Sequence, residues 1–373
     1  MGRISGRLTP FPVPRLLRGL AKLSQGIEAE LSDDTANRID KNNMSLDGKK
    51  VLITGAEGFI GSHLVESLVQ EGARVVALCQ YNSFNHWGWL EELPCISQIE
   101  VISGDIRDSH FCIGLMKGVE VVYHLAALIP IPYSYRAPES YFDTNVKGTL
   151  NLCQAAVRNG VQRFIHTSTS EVYGTAQYVP IDEHHPVVAQ SPYSASKIAA
   201  DAVALSFHYS FDLPVVIARP FNTYGPRQSA RAIIPTIITQ MAAKSSEIRL
   251  GDLEPTRDFT FVTDTSEALR ALARMEGGLG EVFQIGSNRE IRLCEVFEIL
   301  AELMCSDAQP SRDPDRIRPA RSEVRRLWCD NTKLKKATGF TPSTLLRDGL
   351  ATTVDWFIRP ENLMRYKPHV YNC

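Results

Sequence analysis

Hydrophobic and polar positions along this chain switch between two periods. Val51, Leu52 and Ile53 form a short apolar run ending at Thr54, the pattern of a strand buried on both faces. Gly55, Gly58 and Gly61 follow at three-residue spacing, after which Phe59, Ile60, Leu64, Val65 and Leu68 recur with a helical period. The alternation then repeats. Residues 75–79, 99–103, 119–124, 163–168 and 215–219 read as further strands, and residues 140–159 and 193–209 as helices. Strands alternating with helices predict a parallel sheet with helices on both faces, each crossover right-handed. After Pro220 the pattern is less regular. It predicts short strands at 248–250 and 281–285 and helices at 233–243, 265–275 and 293–304, while 307–326, rich in Pro, Arg and Asp, reads as an exposed loop.

The expected fold class is therefore α/β: a Rossmann-type doubly wound parallel sheet over residues 44–220, followed by residues 221–373, mainly a smaller α/β substrate-binding lobe. Composition narrows the picture. Hydrophobic residues are 44% and charged residues 22%, as in ordinary globular proteins, and a net charge of −2 points away from nucleic acid and anionic membranes as partners. No apolar run approaches the length of a membrane span. The eight cysteines are scattered, with no Cys-x-x-Cys pair, which suggests reduced core residues in a cytoplasmic protein and no metal site. Residues 1–43 differ from the rest. Arg3, Arg7, Arg15, Arg18 and Lys22 precede the first acid, Glu28, and Pro10, Pro12 and Pro14 break any early helix. Such a start suits a transit peptide, or Met44 could be the natural start; the reading adopted is a disordered extension with no part in the chemistry.

A strand that turns through glycines into a helix is a phosphate cradle: the backbone approaches the pyrophosphate closely and the helix N-terminus offers free N–H groups. The spacing here, Gly-x-x-Gly-x-x-Gly, resembles the short-chain dehydrogenase/reductase superfamily. The resemblance assigns Gly55, Gly58, Phe59, Ile60 and Gly61 to a dinucleotide, with Asp105 and Ile106 at its adenine and Leu125, Ala126 and Ala127 along its backbone-facing side. Asp105 could equally cap a helix. The second strand ends Cys79-Gln80-Tyr81 without the acid that usually binds the adenosine ribose, and no Arg or Lys follows it directly. NAD is the expected cofactor; NADP is not excluded by these residues.

Tyr193 and Lys197 stand four apart, on one face of a helix. A neighbouring ammonium favours phenolate, so the pair predicts a tyrosine of lowered pKa that takes a hydroxyl proton while hydride leaves for the cofactor. Thr169-Ser170-Glu171 at the end of the fifth strand resembles the Thr-Asp-Glu of dTDP-glucose 4,6-dehydratases and, more closely, the Thr-Ser-Glu of GDP-mannose 4,6-dehydratases. The resemblance implies that Glu171 takes a proton from carbon, with Ser170 or Glu171 itself supplying the proton to the departing hydroxyl. Alternatively Glu171 caps a turn. Residues 219–227 and 255–264 resemble the substrate segments of the extended epimerase/dehydratase family, which implies that Asn222, Arg227 and Arg257 contact a nucleotide sugar; Asn288, after Gln284-Ile-Gly-Ser, is a further nucleotide contact implied by the resemblance. For Arg227 and Arg257, surface ion pairing is the alternative. Residues 82–90, Asn-Ser-Phe-Asn-His-Trp-Gly-Trp-Leu, resemble a segment of nucleotide-activated N-acetylglucosamine 4,6-dehydratases of the legionaminic-acid type. Its aromatics and amides either line the pocket or form an exposed loop with packed Trp residues. The expected activity is an NAD-dependent sugar-nucleotide 4,6-dehydratase, with UDP-glucuronate decarboxylase, 4-epimerase and a cofactor-sensing regulator as alternatives. A homodimer through residues 140–159 and 193–209 is implied by the resemblance.

Overall fold

The computed structural model describes residues 44–371, together with Gly2. The extension read over residues 1–43 otherwise lies outside the described residues. Six strands carry the first half: β1 (Lys50–Thr54), β2 (Arg74–Gln80), β3 (Glu100–Gly104), β4 (Val121–His124), β5 (Arg163–Thr167) and β6 (Val215–Pro220). Shorter ones follow: β7 (Asn222–Tyr224), β8 (Glu247–Leu250), β9 (Thr256–Phe261), β10 (Val282–Ile285), β11 (Glu290–Arg292) and β12 (Gln309–Arg312). The main helices are α1 (Phe59–Gln70), α2 (Ser109–Leu115), α3 (Gly148–Asn159), α4 (Pro192–Phe211), α5 (Ile233–Ala242), α6 (Val262–Arg274), α7 (Leu293–Leu303) and α8 (Leu346–Phe357).

Seven strands form one parallel sheet in the order β10-β6-β5-β4-β1-β2-β3. Its central strands are buried on both faces, which is why they read as continuous apolar runs. One face packs on α1 and α6 through Leu64, Leu68, Leu269 and Leu272. The other packs on α2, α3 and α4 through Cys112, Leu152, Ala156 and Ala204. A separate core, built from Ile234 and Ile237 of α5, Phe297 and Leu300 of α7, and Leu350 and Phe357 of α8, supports the smaller lobe.

Three sequence readings change. Residues 221–373 are not one continuous lobe, because α6 and β10 return to the large sheet and bury Leu269 and Phe283 there. Residues 307–326 are not simply an exposed loop. β12 pairs with β8, Val324 is buried at 1% exposure, and two of the arginines that suggested solvent, Arg316 and Arg318, line a cavity. The helix read over 140–159 is broken: Pro138–Tyr141 is α-helical, Phe142–Lys147 is a π-turn, and α3 begins at Gly148. Within the π-turn, buried Asn145 accepts from the Leu128 N–H at 2.8 Å and donates to the Leu128 carbonyl and to Ser196 Oγ. It thereby ties the loop after β4 to α4, a use of π-geometry that no hydrophobic period announces. Among the described residues the seven cysteines are free; five are buried, Cys294 is intermediate and Cys305 is exposed. No helix of the described residues is long and apolar enough to cross a membrane.

Candidate active site

The cavity lies at the C-terminal ends of the parallel strands, where open α/β sheets bind ligands. It has a volume of about 800 Å³. Its floor is the turn after β1. Gly55 has φ +70°, and a Cβ on it would stand 2.9 Å from the Ala126 backbone; one on Gly61 would meet the Gly55 carbonyl oxygen at 2.2 Å. Only hydrogen fits at either place, so backbone, not side chains, faces the cavity. Phe59, Ile60, Ile106, Leu125 and Ala127 line the same wall with Gly58. This cradle fits a dinucleotide: an open backbone, the start of α1 and a run of small residues along one side.

Asp105 also lines the cavity, but its carboxylate is held by the Arg107 guanidinium at 2.5–3.0 Å, which lowers its pKa. It caps no helix; Asp108 caps α2 by accepting from the Phe111 N–H.

The catalytic wall is made by the end of β5 and the first turns of α4. Pro192 and a Ser191–Ser194 capping box start α4, and its period then buries Tyr193, Lys197 and Asp201 on one face. The Lys197 ammonium donates to the Thr167 carbonyl at 2.7 Å. Burial pulls its pKa down to about 8, against the nearby Asp201 carboxylate. Tyr193 hydrogen-bonds Thr169, yet burial raises its pKa well above that of a free phenol. Among the protein's own groups, desolvation of a phenol at 7% exposure outweighs the help of Thr169, so the chain by itself does not produce the expected lowering of the Tyr193 pKa. Glu171 lines the cavity half-buried, and its charge is felt by Tyr193, Arg257 and Arg318. It does not cap the turn; Thr169 does, accepting from the Glu171 N–H at 3.2 Å. Ser170 departs from expectation. It is buried at 3% exposure and absent from the cavity wall, so the turn that presents Thr169 and Glu171 turns Ser170 away.

Beneath this wall lies a buried polar set. Asp201 accepts from Ser168 at 2.8 Å and from Arg219 at 2.9 Å, and Arg219 donates to the Tyr173 hydroxyl. His166 Nε2 stands 3.2 Å from Asp201.

On the opposite side, Asn222 and Arg257 line the cavity as expected. Asn222 Oδ1 is buried with no partner among the described residues, a vacancy suited to a substrate donor. Arg257 is 5% exposed and lies 3.4 Å from Glu323, not on the surface. Arg227 and Asn288 do not reach the cavity. Arg227 pins its loop to α1 through Glu66 at 2.7 Å, and Asn288 accepts from the Trp328 indole at 3.2 Å. Residues 81–90 also stay off the cavity wall; Trp89 packs edge-on against Trp356, so the packed-loop reading holds there. Sequence reasoning missed Arg316, Arg318 and Glu323, all on the wall. Their signal was the Arg-x-Arg spacing inside 307–326, hidden by the Pro-rich, polar look of that segment.

Comparison with known proteins agrees with this geometry. The sequence profile of GDP-mannose 4,6 dehydratase matches residues 52–353. A dTDP-glucose 4,6-dehydratase of an Actinoplanes species is 34% identical over 315 residues, covering 83% of this chain and 97% of the relative. A UDP-glucose 4-epimerase of Mycolicibacterium smegmatis is 34% identical over 318 residues, covering 83% and 98%. Among solved structures, the dTDP-glucose 4,6-dehydratase DesIV of Streptomyces venezuelae, determined with NAD bound, superposes with TM-score 0.78 at 31% identity, covering 86% of this chain and 99% of that one. The glycine cradle, the Tyr193–Lys197 face and the Thr169–Glu171 turn are the parts of one site, and the chain belongs to the GDP-mannose 4,6-dehydratase family, NAD-dependent enzymes of the extended short-chain dehydrogenase/reductase superfamily.

Proposed function

We propose that this chain is a sugar-nucleotide 4,6-dehydratase that converts a nucleotide-activated N-acetylglucosamine, as its UDP or GDP derivative, to the 4-keto-6-deoxy product. The observation that carries the dehydratase reading is the Glu171 carboxylate on the cavity wall beside Tyr193 and Thr169. Exchange of hydrogen at C4 alone needs no such group; removal of a proton from C5 does. The choice of sugar is supported by the resemblance of residues 82–90, not by contact.

In this reading Gly55, Gly58 and Gly61 hold NAD, which when bound accepts hydride from C4 and returns it at C6. Tyr193 takes the C4 hydroxyl proton through Thr169, and Lys197, cationic below about pH 8, is the chain's own charge favouring the phenolate. The C4 ketone acidifies C5–H. Glu171 removes that proton and delivers it to the C6 hydroxyl, which leaves as water; as C6 is reduced, C5 takes a proton back from solvent through Glu171, and Tyr193 releases its own to solvent. Ser170, turned away, takes no part. Asn222, Arg257 and Arg318 orient the nucleotide diphosphate, the guanidinia suiting paired phosphates.

One observation favours a second reading. Arg318 Nη1 is buried without a hydrogen-bond partner among the described residues; it lies 3.7 Å from Glu323 and feels the Glu171 charge. That is the kind of cation a C6 carboxylate would need, so UDP-glucuronate decarboxylation stands second. Mass spectrometry of products from a panel of nucleotide sugars separates the two. Loss of one water from an N-acetylglucosamine nucleotide supports the proposal; loss of carbon dioxide from UDP-glucuronate, with hexosamines untouched, replaces it. The same reading carries a homodimer through α3 and α4, where Val157, Tyr209 and Phe211 are exposed; light scattering giving a monomer mass would remove that part.

A further inference from the structure

β2 ends without the acid that usually grips the adenosine ribose, yet a carboxylate stands at that place. Glu57 belongs to the glycine turn after β1, and its Oε1 accepts from the Gln80 backbone N–H at 2.9 Å, at the end of β2. Its Oε2 is buried with no partner among the described residues, and the residue lines the cavity. Burial raises the Glu57 pKa, opposed only by the N–H groups of Gln80 and of Glu57 itself. A half-satisfied buried carboxylate is costly unless a donor completes it.

The position is held from the outside by the segment after β2. Trp89 N–H donates to the Glu57 carbonyl at 3.1 Å. Gly88, at φ +57°, lies so close that a Cβ there would stand 2.7 Å from that carbonyl oxygen. Asn82 folds the segment on itself, accepting from the Phe84 and His86 N–H groups and donating to the His86 carbonyl at 2.7 Å. Residues 82–90, which do not touch the cavity, thus clamp the backbone of a residue that does.

We propose that Glu57 reads the adenosine ribose: its free Oε2 accepts a hydrogen bond from the 2′-hydroxyl, and its charge repels a 2′-phosphate, so the NAD preference of this chain resides in the glycine turn and not in β2. Residues 80–90 contain no Arg or Lys to receive a phosphate. Arg107, on the same wall, is already committed to Asp105. The inference concerns the cofactor alone and is independent of the sugar turned over.

The test is equilibrium binding of NADH, NADPH and 2′-deoxy-NADH to the full chain, followed by energy transfer from tryptophan. The native chain binds NADH at least about tenfold tighter than 2′-deoxy-NADH, the effect of one charge-assisted hydrogen bond, and tighter still than NADPH. Glu57→Gln, which keeps an acceptor for Gln80, narrows the NADH/NADPH ratio by about tenfold or more, chiefly through gained NADPH affinity. The native-chain measurement with the deoxy analogue requires no variant and stands if Glu57→Gln misfolds. Equal affinity of the native chain for NADH and its 2′-deoxy analogue, or an unchanged ratio in a folded Glu57→Gln, overturns the proposal.

Discussion

Lys197 and Asp201 share one face of α4, and the Asp201 carboxylate is the charge that offsets the burial of the Lys197 ammonium. The balance leaves Lys197 with a pKa of about 8. If the ammonium supports Tyr193, kcat falls as pH rises through about 8. Asp201→Asn moves that alkaline limb to lower pH, because the remaining influence on Lys197 is burial. It also leaves the buried Arg219 without its carboxylate, keeping only the Tyr173 hydroxyl, a loss of about 3–5 kcal/mol of stability. A pH–rate profile and a denaturant titration of the same variant check both effects.

The same lysine makes a stability prediction of definite sign. Its folded pKa, about 8, lies below the ordinary 10.5, so between these values the unfolded chain binds more protons than the folded one. This group alone therefore makes stability rise with pH across that window, the buried charge being unfavourable below it. Lys197→Met removes that rise and abolishes turnover. Urea unfolding of both proteins at the two ends of the window measures the difference.

Glu171 and Ser170 are neighbours in sequence and part company in space. Glu171→Gln lowers the dehydration rate by about 10²–10⁴-fold, the usual worth of a positioned acid–base group, without loss of NAD binding. Ser170→Ala, off the cavity wall, retains turnover within a few-fold, the rough scale of a change that touches no reacting atom. Steady-state assays of the two variants side by side settle which residue supplies the proton.

Arg318 and Asn288 exchange the roles their surroundings in the sequence suggested. Arg318→Met raises the KM for the nucleotide sugar by about tenfold or more, as expected for loss of a charge-assisted bond to phosphate. Asn288→Ala removes the acceptor for the Trp328 indole and places alanine at φ +58°, which asparagine tolerates better; it leaves KM unchanged and lowers stability by about 1–2 kcal/mol.

Gly61→Ala places a methyl 2.2 Å from the Gly55 carbonyl oxygen, which is backbone and cannot swing aside. The turn must shift, costing about 1–3 kcal/mol and weakening NAD binding with it. Thermal melts with and without NAD show both losses.

The large sheet was legible because its strands are buried on both faces and its helices on one, so each left its own period in the sequence. The glycine turn and the Tyr193–Lys197 face were legible because each is local, set by spacing within one turn or one helix. The substrate side was not. Arg318 reaches the cavity only because β12 pairs with β8, a contact between segments some sixty residues apart that composition disguises as solvent-exposed. Arg227 and Asn288 sit in the expected segments, but Glu66 and Trp328, distant in sequence, claim their side chains. The pKa of Tyr193 was misjudged for a related reason. Spacing supplies the lysine, but Lys197 donates to the Thr167 carbonyl, and the burial that raises the phenol's pKa comes from the whole fold.

The central claim is an internal redox elimination across C4, C5 and C6, and isotope tracing tests it most directly. UDP- and GDP-N-acetylglucosamine bearing deuterium at C4 are incubated with the NAD-loaded enzyme, and the product is read by NMR and mass spectrometry. The account predicts a product lighter by one water, with the deuterium carried to C6. Deuterium remaining at C4 of a product of unchanged composition would contradict it and identify an epimerase.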